Sequence, residues 1–217
     1  MKRLFFIFLF LLVFLQAETQ KFSLSLTGEP RMSYIESTTP KIRNVGFSPG
    51  VAAGVKANIF FTEHYALSSG FFVEHTEGNL YFEEQTPFNI DYARDYVKAG
   101  ATVTYKLKHI NIPLGFELIF PSGENTYFVN TGVGCHFNIR ATASDDLDYF
   151  RDVEIENEIN SFVLSYHAFT GIYFPAGESL TLMAGIGYRH HFDSLTSGES
   201  SYNAFGHTIS LRTGIVF

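Results

Sequence analysis

The sequence has one cysteine and no tryptophan in 217 residues. Because Cys135 stands alone, the chain cannot form an internal disulfide. After the N-terminal segment the chain also lacks long apolar runs, since no stretch of about 18 residues in that part is apolar throughout. The sequence therefore predicts no membrane helix in that part, although hydrophobic residues make up 46% of the whole chain.

Basic residues are scarce as well. The chain has 15 lysines and arginines against 22 aspartates and glutamates, which gives a formal net charge of −7. Nucleic acid binding depends on a basic surface that neutralises phosphates. The acidic balance therefore removes nucleic acid from the expected partners.

The first residues predict a secretory signal peptide. The chain opens with Met1-Lys2-Arg3, continues with apolar residues from Leu4 to Leu15, and reaches the small residue Ala17. This apolar run is short for a membrane-spanning helix, which needs about 20 residues. We expect cleavage after Ala17, which gives a signal peptide, 1–17, and one domain, 18–217. An uncleaved N-terminal anchor helix is the alternative.

Aromatic residues are abundant, with 24 Phe and 12 Tyr. They occur in short alternating runs, of which the last is the clearest: from Phe205 to Phe217 every second residue is mostly apolar, and the residues between are small, polar or cationic. A period of two is typical of a strand with two different faces. An apolar final strand would leave an exposed edge in a soluble sheet, whereas a membrane barrel closes with it.

The alternating pattern predicts eight strands, at 22–34, 51–60, 65–74, 101–120, 126–140, 161–174, 180–191 and 204–217. Their connections alternate between long and short, with the short ones at 61–64, 121–125 and 175–179. Outer membrane barrels have short periplasmic turns and longer external loops. The sequence thus predicts an all-β fold, an eight-stranded antiparallel up-and-down transmembrane β-barrel in the cell outer membrane, with both termini periplasmic. The alternative is a soluble lipocalin-like barrel with its apolar face inward.

The fourth predicted strand changes phase. Its apolar residues are odd-numbered at Val103, Tyr105 and Leu107 and even-numbered from Ile110 to Leu118. One added residue near Lys108-His109 would keep both sets on the lipid face. The sequence therefore predicts a β-bulge at that point.

Two segments carry a family resemblance. They are the stretch from Gly46 to Lys56 and the stretch from Tyr105 to Glu117, which contains His109-Ile-Asn-Ile-Pro-Leu114. Both resemble the outer membrane beta-barrel domain family common in Bacteroidetes, which includes PorT-like proteins. The resemblance implies a fold and a location and does not imply one activity. Many bacterial outer membrane barrels also end in a terminal Phe read by the insertion machinery, which implies the role of an insertion signal for Phe217.

Charged residues on the polar faces of the strands predict a cluster inside the barrel. An eight-stranded barrel is just wide enough to be filled by side chains, and buried charges must be paired. We expect a salt-bridged plug that stiffens the barrel; a narrow anion-preferring passage is the alternative. The expected members are Glu29, Arg31, Lys56, Glu74, Lys106, Lys108, Glu117, Arg140, Arg189 and Arg212.

Catalytic and metal sites are weakly indicated. Ser165 and His167 share one strand face, about 7 Å apart along the strand, which is too far for a nucleophile and its base. The adjacent residues His190 and His191 point to opposite faces, so they do not make a metal site. We therefore predict no catalytic residue, no cofactor and no metal.

Two long connections are strongly acidic. The segment 77–98 has five acidic and two basic residues, and 141–160 has seven acidic residues against Arg151. Solvated charge explains this composition, and a divalent cation or a basic partner is the alternative reading.

The sequence as a whole predicts a monomeric outer membrane barrel with a structural or binding role. Its expected partners are outer membrane lipid, lipopolysaccharide and the barrel insertion machinery, together with a possible envelope protein that the sequence does not identify. The alternatives are a PorT-like component of a secretion machinery and a lipid-modifying outer membrane enzyme.

Overall fold

The computed structural model describes residues 21–90, 93–177, 180–197 and 202–217. The predicted signal peptide, 1–17, lies outside these residues. No helix in the described residues is long and apolar enough to cross a membrane.

Twelve strands make up most of the described chain. In chain order they are β1 (Phe22–Ser37), β2 (Ile42–Asn44), β3 (Ser48–Phe60), β4 (Tyr65–Phe82), β5 (Thr86–Ile90), β6 (Ala93–Val97), β7 (Thr102–Ser122), β8 (Asn125–Asp145), β9 (Val153–Glu154), β10 (Phe162–Pro175), β11 (Thr181–His191) and β12 (Ala204–Val216).

Eight of these strands close into a barrel in the order β1, β3, β4, β7, β8, β10, β11, β12. All neighbours are antiparallel, and β12 returns to pair with β1. Phe217 takes part in the closure, because its N–H donates to the Leu24 carbonyl at 2.7 Å and its carbonyl accepts from Leu24 at 3.2 Å. The predicted fold class is confirmed.

The barrel strands are staggered. Following the paired residues once around the barrel from Met32 leads back to β1 at Phe22, ten residues further towards the N-terminus. A stagger of this kind tilts the strands, and with eight strands it leaves an interior that side chains can fill. Inward side chains from strands far apart in sequence are thereby brought into contact.

The outer wall carries an apolar band at the end of the barrel where β1 begins and β12 ends. We call this the lower end, and the end with the long connections the upper end. Outward residues in the band are exposed and apolar, whereas the inward positions at the same level hold polar and charged side chains and a small apolar cluster of Phe128, Phe169 and Met183. An apolar wall around a polar interior is typical of a membrane barrel. Representative outward residues are Leu26, Val55, Phe71, Leu114, Phe116, Ile186 and Leu211.

The register between β7 and β8 shifts between Lys108 and His109, where the bulge was predicted, but the extra residue is Ile139 of β8 and not a residue of β7. The predicted orientation above it is wrong: Val103, Tyr105 and Leu107 point inward and are buried. Strand β7 keeps one alternation throughout, with its odd-numbered residues inside. The set of alternate β7 residues that is apolar changes because the surroundings change. In the band the outward residues are apolar, and above the band the inward residues are apolar.

A buried apolar cluster, which we call the apolar cap, lies at the upper end. The predicted loops 77–98 and 141–160 are partly strand, because β4 runs to Phe82, β5 and β6 form a hairpin, and β8 runs to Asp145 before β9. Their apolar side chains pack together with the upper ends of the barrel strands in one buried cluster. The Tyr105 and Tyr202 hydroxyls hydrogen-bond to each other inside it. Other members are Leu80, Phe82, Phe88, Leu107, Phe150, Ile155 and Leu195.

Candidate functional site

The structure places seven of the ten expected charged residues inside the barrel, where all are buried: Glu29, Arg31, Lys56, Glu74, Glu117, Arg189 and Arg212. The assignment of Lys106, Lys108 and Arg140 to the lumen is wrong, because these side chains lie on the outer wall above the band. Lys106 and Lys108 are even-numbered residues of β7, and the bulge turns Arg140 outward to face Lys108.

Glu74 of β4 is the centre of the upper part of this site. Arg189 of β11 donates from Nη1 to both carboxylate oxygens of Glu74 at 2.8 Å. Arg31 of β1 has Nη1 at 3.1 Å from Oε2, and Asn111 of β7 donates to Oε1 at 2.9 Å. One carboxylate therefore joins two arginines from two other strands.

Glu29 links this centre to a third arginine. Arg31 donates to Oε2 of Glu29 at 2.9 Å, and Arg212 of β12 donates from Nε to Oε1 at 2.6 Å. The Arg212 guanidinium also lies 3.7 Å from the ring centroid of Phe169, a cation–π contact. We call the five connected residues Glu29, Arg31, Glu74, Arg189 and Arg212 the Glu74 network.

A second ion pair lies nearer the lower end. Lys56 of β3 donates to Glu117 of β7, and Asn58 donates to the other Glu117 oxygen at 2.8 Å. Tyr173 of β10 donates to Glu117 at 2.6 Å and accepts from Lys56 at 3.0 Å. Asn58 and Tyr173 thus complete the hydrogen bonding of one buried lysine and one buried carboxylate that also pair with each other.

Four histidines also face inward: His109, His136, His167 and His191 are all buried. His136 Nε2 lies 2.7 Å from the Ser165 hydroxyl, and His136 Nδ1 lies 3.5 Å from Glu74 Oε2. Ser165 therefore pairs with a histidine of the neighbouring strand and not with His167, its candidate on β10.

Ser165, His136 and Glu74 have the residue types of a nucleophile, a base and an orienting acid. Ser165 has no exposed surface, so no substrate reaches its hydroxyl in this structure. A Cβ at Gly134 would lie 2.8 Å from the Ser165 hydroxyl and 3.0 Å from His136 Nε2, so the space beside the pair is filled. The arrangement places His136 in the packed interior between the Ser165 hydroxyl, to which it is hydrogen-bonded, and the Glu74 carboxylate.

The open space near these residues is small. A cavity of about 10 Å³ lies beside Glu74, His109 and His191, enough for about one water molecule. The described residues contain no group of three or more His, Cys, Asp or Glu side chains placed to hold a metal ion. His190 faces outward and packs against His207, with ring centroids 4.5 Å apart and the rings tilted by 31°, while His191 faces inward.

Sequence reasoning missed the polar partners that complete the site: Asn58, Asn111, His136, Ser165 and Tyr173. Alternation along one strand shows which residues share a face, but which side chains meet depends on the cross-strand register. The pairs Glu29–Arg212 and Glu74–Arg189 join residues that the sequence assigned to the cluster.

This construction defines the class: a closed antiparallel barrel with an apolar outer band and a polar interior is an outer membrane β-barrel. The sequence matches the family described as outer membrane protein beta-barrel domain over residues 14–196. The chain belongs to this family and is an outer membrane protein, which confirms the expected resemblance at that level. The narrower likeness to PorT-like proteins stays a prediction.

Solved structures with a similar fold include Neisserial surface protein A, at 10% identity and a TM-score of 0.51, covering 92% of this chain and 98% of that one. Ail of Yersinia pestis matches at 12% identity and 0.44, covering 90% and 98%. OprG from Pseudomonas aeruginosa matches at 9% identity and 0.46, covering 90% and 95%. At these identities the likeness concerns the fold alone. No curated protein matches the sequence significantly.

Proposed function

We propose that this chain is a monomeric outer membrane barrel whose lumen is closed by side chains, with a structural or binding role and no catalysis. The observation that carries the proposal is the Glu74 network, which joins β1, β4, β11 and β12 through buried ion pairs. Contacts between strands on opposite sides of the barrel support a lumen without a continuous path for a hydrated ion. The network stiffens the barrel from within.

The apolar cap supports the same proposal. It packs across the upper end with fully buried residues such as Leu80, Phe88 and Val103. An ion crossing the barrel would have to pass both this apolar layer and the charged layer below it. We infer that the short connections and both termini face the periplasm, as in other outer membrane barrels.

The proposed partners follow from the surfaces. The apolar band contacts outer membrane lipid, with lipopolysaccharide around the upper end. The insertion machinery reads the last strand and its terminal residue Phe217 during assembly. Nucleic acid is not a partner, given the acidic balance of the chain.

We expect no catalysis at Ser165. A fluorophosphonate that labels activated serines should not label the folded protein, because the Ser165 hydroxyl is buried beside His136. The measurement is in-gel fluorescence, with Ser165→Ala as the matched control. Labelling of the wild type that disappears in Ser165→Ala would overturn the proposal of a non-catalytic barrel.

A binding role is favoured by the upper surface of the cap. Tyr96, Leu147 and Tyr149 are each about half exposed there, and Lys98 lies 4.2 Å from the Tyr149 ring centroid. Exposed aromatic residues are typical of a surface that binds another protein, and here they lie beside a lysine on a surface rich in acidic residues. A PorT-like role in a secretion machinery would use this surface.

A deletion strain separates the proposed functions. We expect loss of the protein to weaken the outer membrane, measured as increased sensitivity to bile salts or hydrophobic antibiotics. Protein secretion and the composition of lipid A should not change. Loss of secretion would favour the PorT-like role, and altered lipid A would favour a lipid-modifying enzyme.

A further inference from the structure

Three cationic side chains stand on the outer wall of the barrel. Lys106 and Lys108 project from β7, and Arg140 projects from β8 directly opposite Lys108. They are the outward-facing lysines and arginines of the barrel strands within the described residues, since the other four point into the lumen. Positive charge on the wall is therefore confined to one side.

The β-bulge brings Arg140 to this surface. Phe137 faces outward, so strict alternation would also turn Ile139 outward and send Arg140 inside. In the observed register His109 pairs with Asn138 and Lys108 pairs with Arg140, which leaves Ile139 as the extra residue. Ile139 and Arg140 are both exposed. Bulges re-aim side chains in this way, often at functional positions.

Lys108 and Arg140 lie at the upper edge of the apolar band. Along β7 the outward residues change from Lys108 to the apolar Ile112 within four residues, about 13 Å of strand. On β8 the ring of Phe137 lies below Arg140 and packs on Phe162 of β10, with centroids 5.2 Å apart. A ligand at this position meets two positive charges and an apolar wall beneath them.

Of the three outward cations, Lys108 is the one whose charge is least neutralised by neighbouring acidic residues. Arg140 lies 3.7 Å from Glu154, a long pair in which both side chains are more than half exposed. Lys108 makes no ion pair with the described residues, and its cross-strand neighbour on β4 is His75. A negatively charged ligand therefore finds one lysine without an ion pair and one arginine held only by a long, exposed ion pair.

Lys106 differs from these two residues. Its Nζ donates to Asp152 Oδ1 at 2.7 Å. This hydrogen bond lowers the pKa of Asp152, so the carboxylate stays charged and neutralises the lysine. Glu77 is the cross-strand neighbour of Lys106 on β4 and adds further negative charge. Substitution of Lys106 is consequently a suitable control for substitution of Lys108 and Arg140.

We propose that Lys108 and Arg140 bind the phosphorylated headgroup of an outer-leaflet lipid, whose acyl chains lie against Ile112, Phe137 and Phe162. Arginine and lysine suit phosphate because they form charge-assisted hydrogen bonds, which arginine makes in pairs. The place suits a lipid because the charges lie at the edge of the apolar band and not on the loops. The inference rests on the proposed orientation, with the upper end outside the cell.

The test is native mass spectrometry of the purified barrel in detergent micelles. The probes are bisphosphorylated lipid A and the same lipid with both phosphates removed. We expect wild type to retain the phosphorylated form selectively, and the double variant Lys108→Gln/Arg140→Gln to bind it about 10- to 30-fold more weakly. Lys106→Gln and the loop variant Arg151→Gln should stay close to wild type.

The inference is overturned if the double variant retains phosphorylated lipid A as well as wild type does, or if wild type retains both lipids equally. Heat-dependent gel mobility verifies that each variant is folded. Orientation is measured separately, by labelling Glu156→Cys in intact cells with a membrane-impermeant maleimide in a Cys135→Ser background. Labelled cells without lipid selectivity refute the lipid site alone, and unlabelled cells refute the proposed orientation.

Discussion

Replacing Glu74 by Gln should lower the free energy of unfolding of the barrel by about 3–5 kcal/mol, because it leaves the buried Arg189 without a counter-charge and Arg31 paired with Glu29 alone. Glu74 accepts from Arg189 through both oxygens and lies within ion-pair distance of Arg31. Glutamine keeps the size of the side chain and removes its charge. The lost energy is therefore that of the uncompensated guanidinium group.

Urea titration of the folded barrel in micelles, followed by heat-dependent gel mobility, measures this effect. Glu156→Gln is the matched control, since Glu156 is an exposed residue of the upper end. The control should stay within about 0.5 kcal/mol of wild type. Equal stability of the Glu74 variant and the control would mean that the network is solvated and contributes nothing.

A second large effect is expected at the lipid face. Leu114→Arg should destabilise the barrel by about 2–4 kcal/mol, because a charge on the outer wall at the bilayer midplane has no polar partner. Leu114 is exposed and lies near the middle of the outward apolar row of β7 from Ile110 to Phe120.

The matched control for the lipid face is Thr104→Arg. Thr104 is on the same strand and the same outward face, but above the apolar band. Folding into vesicles of defined lipid, followed by urea titration, compares the two variants. If Thr104→Arg cost as much as Leu114→Arg, the band would not mark the position of the membrane.

Alternation alone predicted the barrel well. Eight strands, their antiparallel order and the closing contact of the last strand on the first follow from the period of two and from the lengths of the connections. The same pattern predicted the inward position of Glu29 and Arg212, because within the band an outward charge would lie in lipid. Within the band, contact with lipid requires the outward set of alternate residues to be the apolar one.

Above the band the pattern was misread. The residues from Val103 to Leu107 are apolar at alternate positions, and sequence reasoning turned them towards lipid. Beyond the membrane the outside of the barrel is water, so the same alternation turns apolar residues inward to the cap. Lys106 and Lys108 consequently face outward. A period of two shows which residues share a face of the strand. The surroundings determine which of the two faces points into the barrel.

The sequence also did not predict which side chains contact each other within the lumen. Ser165 and His167 share a strand face, but His136 reaches Ser165 from the next strand. That meeting depends on the stagger of the barrel, which brings Ser165 opposite Gly134. No local pattern encodes the stagger, because it is set by all eight strand pairings together.

Single-channel recording in planar lipid bilayers tests the closed lumen most directly. The purified barrel should give no steady conductance at moderate voltage, because the Glu74 network and the cap both lie across its path. An open porin recorded in the same bilayers shows that insertion and detection work. Steady, anion-selective channels from the wild-type protein would contradict the account, because they would show that the four buried cations line an open passage.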